Sequence, residues 1–225
     1  MSSSSAPRTF EVRHVQLARA VFAALAAAMI TFSPDHSAAI GMSVFSGWAI
    51  ATSIVFFVAI WLVYPAGRRW PFVLLGIVTV IAGMVGGVST WRTTTIFFVV
   101  VIVWALLAGV IELASGIRSR RELRGSADLQ ARGEARDAIT VGIITILLGL
   151  GLLFVPTQYA LRYYIADAGQ SFTLTGTTIG VGIFGGYAAI IAVYLAIAGF
   201  SPRRSPSVEP SAEDAPAASD QGSPS

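Results

Sequence analysis

The chain has 225 residues, of which 55% are hydrophobic and only 12% charged, with a net charge of +3 and a mean hydropathy of +0.72. Too few charged groups are present to coat a soluble globule, so much of the apolar surface must face lipid. The absence of cysteine excludes disulfides, zinc–thiolate sites and thiol nucleophiles, and because all fifteen basic residues are arginine, Schiff-base and phosphate-loop lysine chemistry are excluded as well.

Residues 1–13 (MSSSSAPRTFEVR) are serine-rich without apolar periodicity and read as a flexible tail. Six apolar runs follow, at 15–32, 40–63, 70–88, 94–115, 138–155 and 177–199. Each is close to the roughly 20 residues that a helix needs to cross about 30 Å of hydrocarbon. The runs are continuous rather than alternating, and lipid leaves no solvent for unpaired backbone groups, so helices are expected and a β-barrel is not. The expected fold is all-α: a six-helix membrane domain over 14–202, built as three tandem hairpins, then a tail over 203–225. That tail, rich in proline, serine and alanine, cannot bury a core and is expected to be disordered.

Turn chemistry separates the runs. Ser33-Pro34-Asp35-His36, Tyr64-Pro65-Ala66-Gly67 and Pro156 each stop a helix where an interface is due. Asp137 directly precedes the fifth run and is expected to cap it. The segment 116–137 carries six arginines among acidic residues and reads as a solvated loop, or as a charged continuation of the fourth helix. In the loop 156–176, Tyr159, Tyr163 and Tyr164 with Arg162 suggest an interfacial aromatic belt or a short surface helix.

The arginines orient the chain. Arg68, Arg69, Arg118, Arg120, Arg121, Arg203 and Arg204, with six others, place thirteen on one side, against Arg92 and Arg162 on the other. Short loops obey the positive-inside rule, so both termini are expected in the cytoplasm, with the chain in the inner (plasma) membrane. The basic clusters are then topology signals with some affinity for anionic lipid, and nucleic acid is not an expected partner. In a competing reading of the first segment, Arg8, Arg13 and Arg19 before an apolar stretch and Ser37-Ala38-Ala39 imitate a cleavable signal peptide. If the segment is a helix, Arg19 is expected to snorkel to the head groups.

An internal repeat runs through the chain. Trp48-Ala49-Ile50, Trp104-Ala105-Leu106 and Tyr187-Ala188-Ala189 each fall in an even-numbered run, and each run is followed by an arginine pair on the inner side. Phe32-Ser33-Pro34 matches Phe154-Val155-Pro156 at the outer ends of odd-numbered runs. The segments GVIELASGIRSRRE, AITVGIITILLGLGLLFVP and YAAIIAVYLAIAGFSPRR, at this spacing, resemble the HdeD family of acid-resistance membrane proteins. The match is best over 104–156 and 187–204 and weaker over the alanine-rich first hairpins. The resemblance implies a stress-linked integral membrane protein of three hairpins; it implies no reaction.

Gly180-Val181-Gly182-Ile183-Phe184-Gly185 spells a dinucleotide fingerprint, but it lies inside an apolar run with no strand before it and no acidic residue about twenty positions on, so no nucleotide is expected. Gly176, Gly180, Gly182 and Gly186 read instead as a close-packing helix seam, within the chain or between protomers, as do Gly83 with Gly87 and Ala20, Ala24 and Ala28. Glu112 is the lone carboxylate inside a run, near the inner interface. It either has a structural role, pairing with an inner arginine or capping a neighbouring helix, or handles protons. His36, in the first outer turn, is either solvated or an acid sensor facing outside. His14 and His36 fall on opposite sides, so no histidine metal site is expected.

No nucleophile–base pair, phosphate loop or metal cluster is visible in the sequence, so a non-enzymatic protein without cofactor is expected. Its partners would be the bilayer and either a second copy or another membrane protein. The alternatives are a small transporter or channel, for which only Thr52 and Ser53 lie at mid-depth in the second run, or an accessory subunit of a membrane complex.

Overall fold

A computed structural model describes residues 10–64, 67, 69–165 and 169–201. Arg68, Asp167, Arg203 and Arg204, most of the 1–13 segment and the tail over 203–225 lie outside the described residues. Six helices form: α1 (Val12–Phe32), α2 (Ala38–Leu62), α3 (Trp70–Gly87), α4 (Thr94–Glu122), α5 (Leu129–Leu153) and α6 (Gly176–Phe200). All six are long and apolar enough to cross a membrane, and the chain is a multi-pass, all-α membrane protein. A two-stranded hairpin, β1 (Ala160–Ile165) and β2 (Gln170–Thr175), is inserted before α6.

The helices close into a ring in chain order. The most extensive contacts join α2 to α3, α4 to α5, and α6 back to α1, while contacts within α1/α2, α3/α4 and α5/α6 are sparser. Helices α2, α4 and α6 are more buried than their odd-numbered partners, and α2 touches both α4 and α6 across the middle. The outward faces are the bulky ones: Val21, Leu25 and Met29 on α1, or Ile77, Ile81 and Met84 on α3, are exposed and recur at helical spacing. Such apolar faces belong against acyl chains.

One end of the bundle, the terminal end, holds the start of α1, the close of α6 and the turns between α2 and α3 and between α4 and α5. The opposite end carries the β-hairpin. Gly125, at φ +85°, makes the terminal-end turn after α4 possible in only a few residues. At the hairpin end Arg92 donates from Nε to the Gly86 carbonyl and from Nη2 to the Gly87 carbonyl, both at 3.3 Å, capping α3. That local task accounts for one of the two arginines on this side.

Four expectations need correction. Asp137 does not cap α5: the helix begins two turns earlier, with Asp128 accepting from the Ala131 N–H at 3.0 Å, because the charged segment is itself helical once in water. The solvated-loop reading of 116–137 gives way to the other, a charged continuation of the fourth helix, since α4 runs on to Glu122 and six residues separate it from α5. Residues 160–175 form no surface helix but an antiparallel ladder pairing Tyr163 with Phe172 and Tyr164 with Ser171, in keeping with their aromatic and threonine content, and Tyr163 and Tyr164 are exposed on it.

The glycine seam is the fourth correction. Gly83 and Gly180 do sit at tight contacts, with an added Cβ 2.9 Å from the Ile50 side chain and 2.6 Å from that of Phe98. Gly176 lies against the Pro156 carbonyl, and Gly87 is in ordinary contact with Ser46. Gly182 and Gly186 have no atom within 4 Å of such a Cβ and face outward, as do Ala24 and Ala28. Between α4 and α5 and between α3 and α2 the recurring spacing is seven residues. Gly109 with Gly116, Gly142 with Gly149, and Gly76 with Gly83 return to one helix face every two turns and hold α4 to α5 and α3 to α2.

Candidate functional site

Seven-residue registers make the three hairpins equivalent position by position. Gly83 packs on Ala49 and Ile50 as Gly149 packs on Ala105 and Leu106; Gly116 lies on Ala135 and Ile139 as Gly199 lies on Arg13 and Leu17. The signature aromatics Trp48, Trp104 and Tyr187 therefore converge on the bundle axis. Trp48 and Trp104 ring centroids are 5.0 Å apart, and Tyr187 is 6.2 and 6.1 Å from them. Phe45 and Phe184 stack edge-on above this triangle at 5.5 Å, and both are fully buried. Each such aromatic pair adds about 0.5–1.5 kcal/mol beyond its area burial. The axis at this depth is filled by rings.

Buried threonines serve these rings. The Trp104 Nε1–H donates to Thr79 Oγ1 at 3.2 Å, and the Tyr187 hydroxyl bonds Thr145 Oγ1 at 3.0 Å. Thr145 in turn donates to the Val141 carbonyl at 2.8 Å. Ser53 donates to the Ile50 carbonyl at 2.7 Å, whereas Trp48 Nε1 and Thr52 Oγ1 have no partner among the described residues.

Two turns toward the terminal end, the equivalent positions are Phe56, Glu112 and Leu195. Glu112 is buried and meets Arg19, whose Nη2 lies 2.8 Å from Oε1. Arg19 does not snorkel to the head groups. Its guanidinium lies 4.8 Å over the Phe56 ring and its side chain is 14% exposed, because Glu112 across the axis gives it an inward partner. Of the two roles open to Glu112, pairing is the one observed, although with an arginine from within the first span.

Below the pair opens a cavity of about 250 Å³, lined among others by Gln16, Arg19, Tyr64, Glu112, Glu134 and Asp137. A neighbouring recess of about 360 Å³ shares Gln16, Glu134 and Asp137. Asp137 is the hub between them, accepting from Gln16 Nε2 at 3.0 Å and from the Tyr194 hydroxyl at 2.9 Å. Tyr64, stacked on Phe72 at 3.7 Å, is held above its ordinary pKa by burial and then by the Glu134 carboxylate. It stays a neutral hydrogen-bonding group at any physiological pH.

Of the residues singled out from sequence, the structure brings Glu112, Arg19, Arg118 and Asp137 to this site. His36 is half-buried at the opposite end and makes no hydrogen bond or ion pair among the described residues; Asp35 braces its turn through Ser37. Arg69 donates from Nε to the Tyr64 carbonyl at 2.9 Å, and Arg118 makes an exposed pair with Glu122, so both have local tasks. Sequence reasoning gave Arg19 and Asp137 other roles and did not join them with Gln16 and Tyr194 into one site. Gln16 and Arg19 at i and i+3 on an otherwise apolar face were the available signal. Compared with protein-family models, with curated proteins and with solved structures, the chain matches none.

Proposed function

We propose that this chain is a non-enzymatic membrane protein of acid or stress tolerance, in keeping with its resemblance to the HdeD family, and that it works as a closed bundle rather than a conduit. The observation that carries the reading is the aromatic packing of the axis: Phe45, Trp48, Trp104, Phe184 and Tyr187 occupy the depth where a pore would run. The charged groups Arg19, Glu112, Glu134 and Asp137 are gathered around the cavity at the terminal end, and the polar groups at the depth of the rings are uncharged hydroxyls. With thirteen arginines assigned to that end, both termini and the cavity lie on the cytoplasmic side of the plasma membrane. The protein then acts on the bilayer or on a cytoplasmic partner.

The test pairs two measurements. Purified protein in liposomes under a pH gradient should leave proton leakage at the protein-free rate, and cells lacking the protein should survive acid exposure less well than cells carrying it. Accelerated leakage would overturn the closed-bundle reading, and unchanged survival would overturn the stress role. A small transporter is the second reading, favoured by the half-enclosed polar cavity walled by Arg19 and Glu112. Protein-dependent solute flux in the same liposomes would select it.

A further inference from the structure

The equivalence of the three hairpins exposes one place where they differ. Trp104 bonds Thr79, 25 residues before it on the preceding helix. Tyr187 makes the same bond to Thr145 on the helix preceding it. Counting back from Trp48 by the same 25 residues reaches Ala23 on α1. Contacts of α1 with α6 fix this register independently. Gly185 packs on Ile30 as Ser46 packs on Gly86, and Gly199 packs on Leu17 and Arg13 as Gly116 packs on Ile139 and Ala135. In each case the α1 residue stands the same distance from Ala23 as its counterpart stands from Thr79 or Thr145.

Ala23 is fully buried and, as an alanine, offers no hydroxyl where Thr79 and Thr145 offer one. Trp48 is 6% exposed and its Nε1–H has no acceptor among the described residues. One turn further along α2, Thr52 is 3% exposed and its Oγ1 also lacks a partner, while Ala108 and Ile191 are apolar at the equivalent positions. The first hairpin has thus lost a hydroxyl from its odd helix and gained one on its even helix. An unpaired buried polar group costs roughly 1–3 kcal/mol, and two side by side on one helix face call for a shared partner.

We propose that a single water molecule is bound between α1 and α2 near Ala23, doing for Trp48 what the Thr79 and Thr145 hydroxyls do for Trp104 and Tyr187 in the other two hairpins. It accepts from Trp48 Nε1 and bonds Thr52 Oγ1. By analogy with the Thr145 bond to Val141, it donates to the backbone carbonyl of Arg19, four residues before Ala23. A buried water needs two to four polar partners, and this set supplies three. Arg19, one turn from Ala23, also lines the terminal-end cavity, so solvent stands one turn from the site.

The test is nuclear magnetic resonance on the full chain, labelled with 15N-tryptophan, in detergent micelles. Trp48→Phe assigns the Trp48 indole and Trp104→Phe the Trp104 indole. The Trp48 indole proton is expected to show a dipolar cross-peak to water and the Trp104 indole none. In Ala23→Thr the Trp48 cross-peak should be lost and Tm should rise, whereas Ala23→Val, which fills the volume without a hydroxyl, should not raise it. A wild-type Trp48 indole with no water contact would overturn the proposal without recourse to any variant at Ala23. So would a cross-peak that persists unchanged in a folded Ala23→Thr protein.

Discussion

Replacing Gly142 with alanine tests the helix packing most directly. A methyl group there would lie 2.6 Å from the Leu113 backbone nitrogen and 2.8 Å from the Gly109 carbonyl oxygen. Both obstacles are backbone, and neither can rotate away. To reach ordinary contact, α5 must retreat from α4 by about 0.8 Å at this point, which loosens the neighbouring contacts of Gly109, Gly116 and Gly149. Overpacking of this kind costs about 1–3 kcal/mol, offset by the roughly 0.5–1 kcal/mol that alanine gains over glycine inside a helix. The net loss is about 1–2 kcal/mol, or roughly 2–8 °C in Tm at the usual ~2–4 °C per kcal/mol for a chain of this size. Gly182→Ala is the control. No atom lies within 4 Å of the added methyl, so only the helix-propensity gain remains and Tm should hold or rise. Thermal unfolding of both variants in one detergent, followed by circular dichroism, measures the difference. Equal shifts, or a larger loss at Gly182, would refute the seven-residue seam.

Three further outcomes follow from the same contacts. Arg19→Leu or Glu112→Leu alone strands a buried charge and should cost about 3–5 kcal/mol, while the double variant Arg19→Leu/Glu112→Leu should recover most of that loss; additive losses in Tm would show that the two charges do not stabilise each other. Gly199→Leu should destabilise strongly, because its Cβ position is already 2.6 Å from Leu17, and Gly186→Leu should be near neutral; the reverse order in detergent would place the α6 seam on the other face. Reporter fusions after Arg69, Arg121 and Arg204 should read as cytoplasmic and those after His36 and Arg92 as external, and an external signal at Arg121 would invert the orientation proposed from the arginines.

The amino-acid sequence alone determined the number and extent of the spans, because hydrocarbon thickness and the need to pair every backbone group leave one solution for six continuous apolar runs. It also located the repeat, since Trp48, Trp104 and Tyr187 stand at matching depths in their hairpins, and it marked Glu112 as a carboxylate in need of a partner. Rotation of each helix about its own axis was not legible. In a helix apolar on every side, the lipid-facing and core-facing residues are chemically alike, so a pair such as Gly182 and Gly186 reads as a seam although Gly180, Gly185 and Gly199 are the residues in contact. The same ambiguity turned Arg19 toward the head groups, when a carboxylate on α4, far away in the chain, draws it inward. Tertiary structure decided which faces meet, because packing energy in lipid comes from close approach between particular surfaces rather than from hydrophobicity shared by all of them. It decided, too, that the first hairpin departs from the other two: Ala23 is unremarkable in sequence and becomes informative only when the bundle sets it where Thr79 and Thr145 stand.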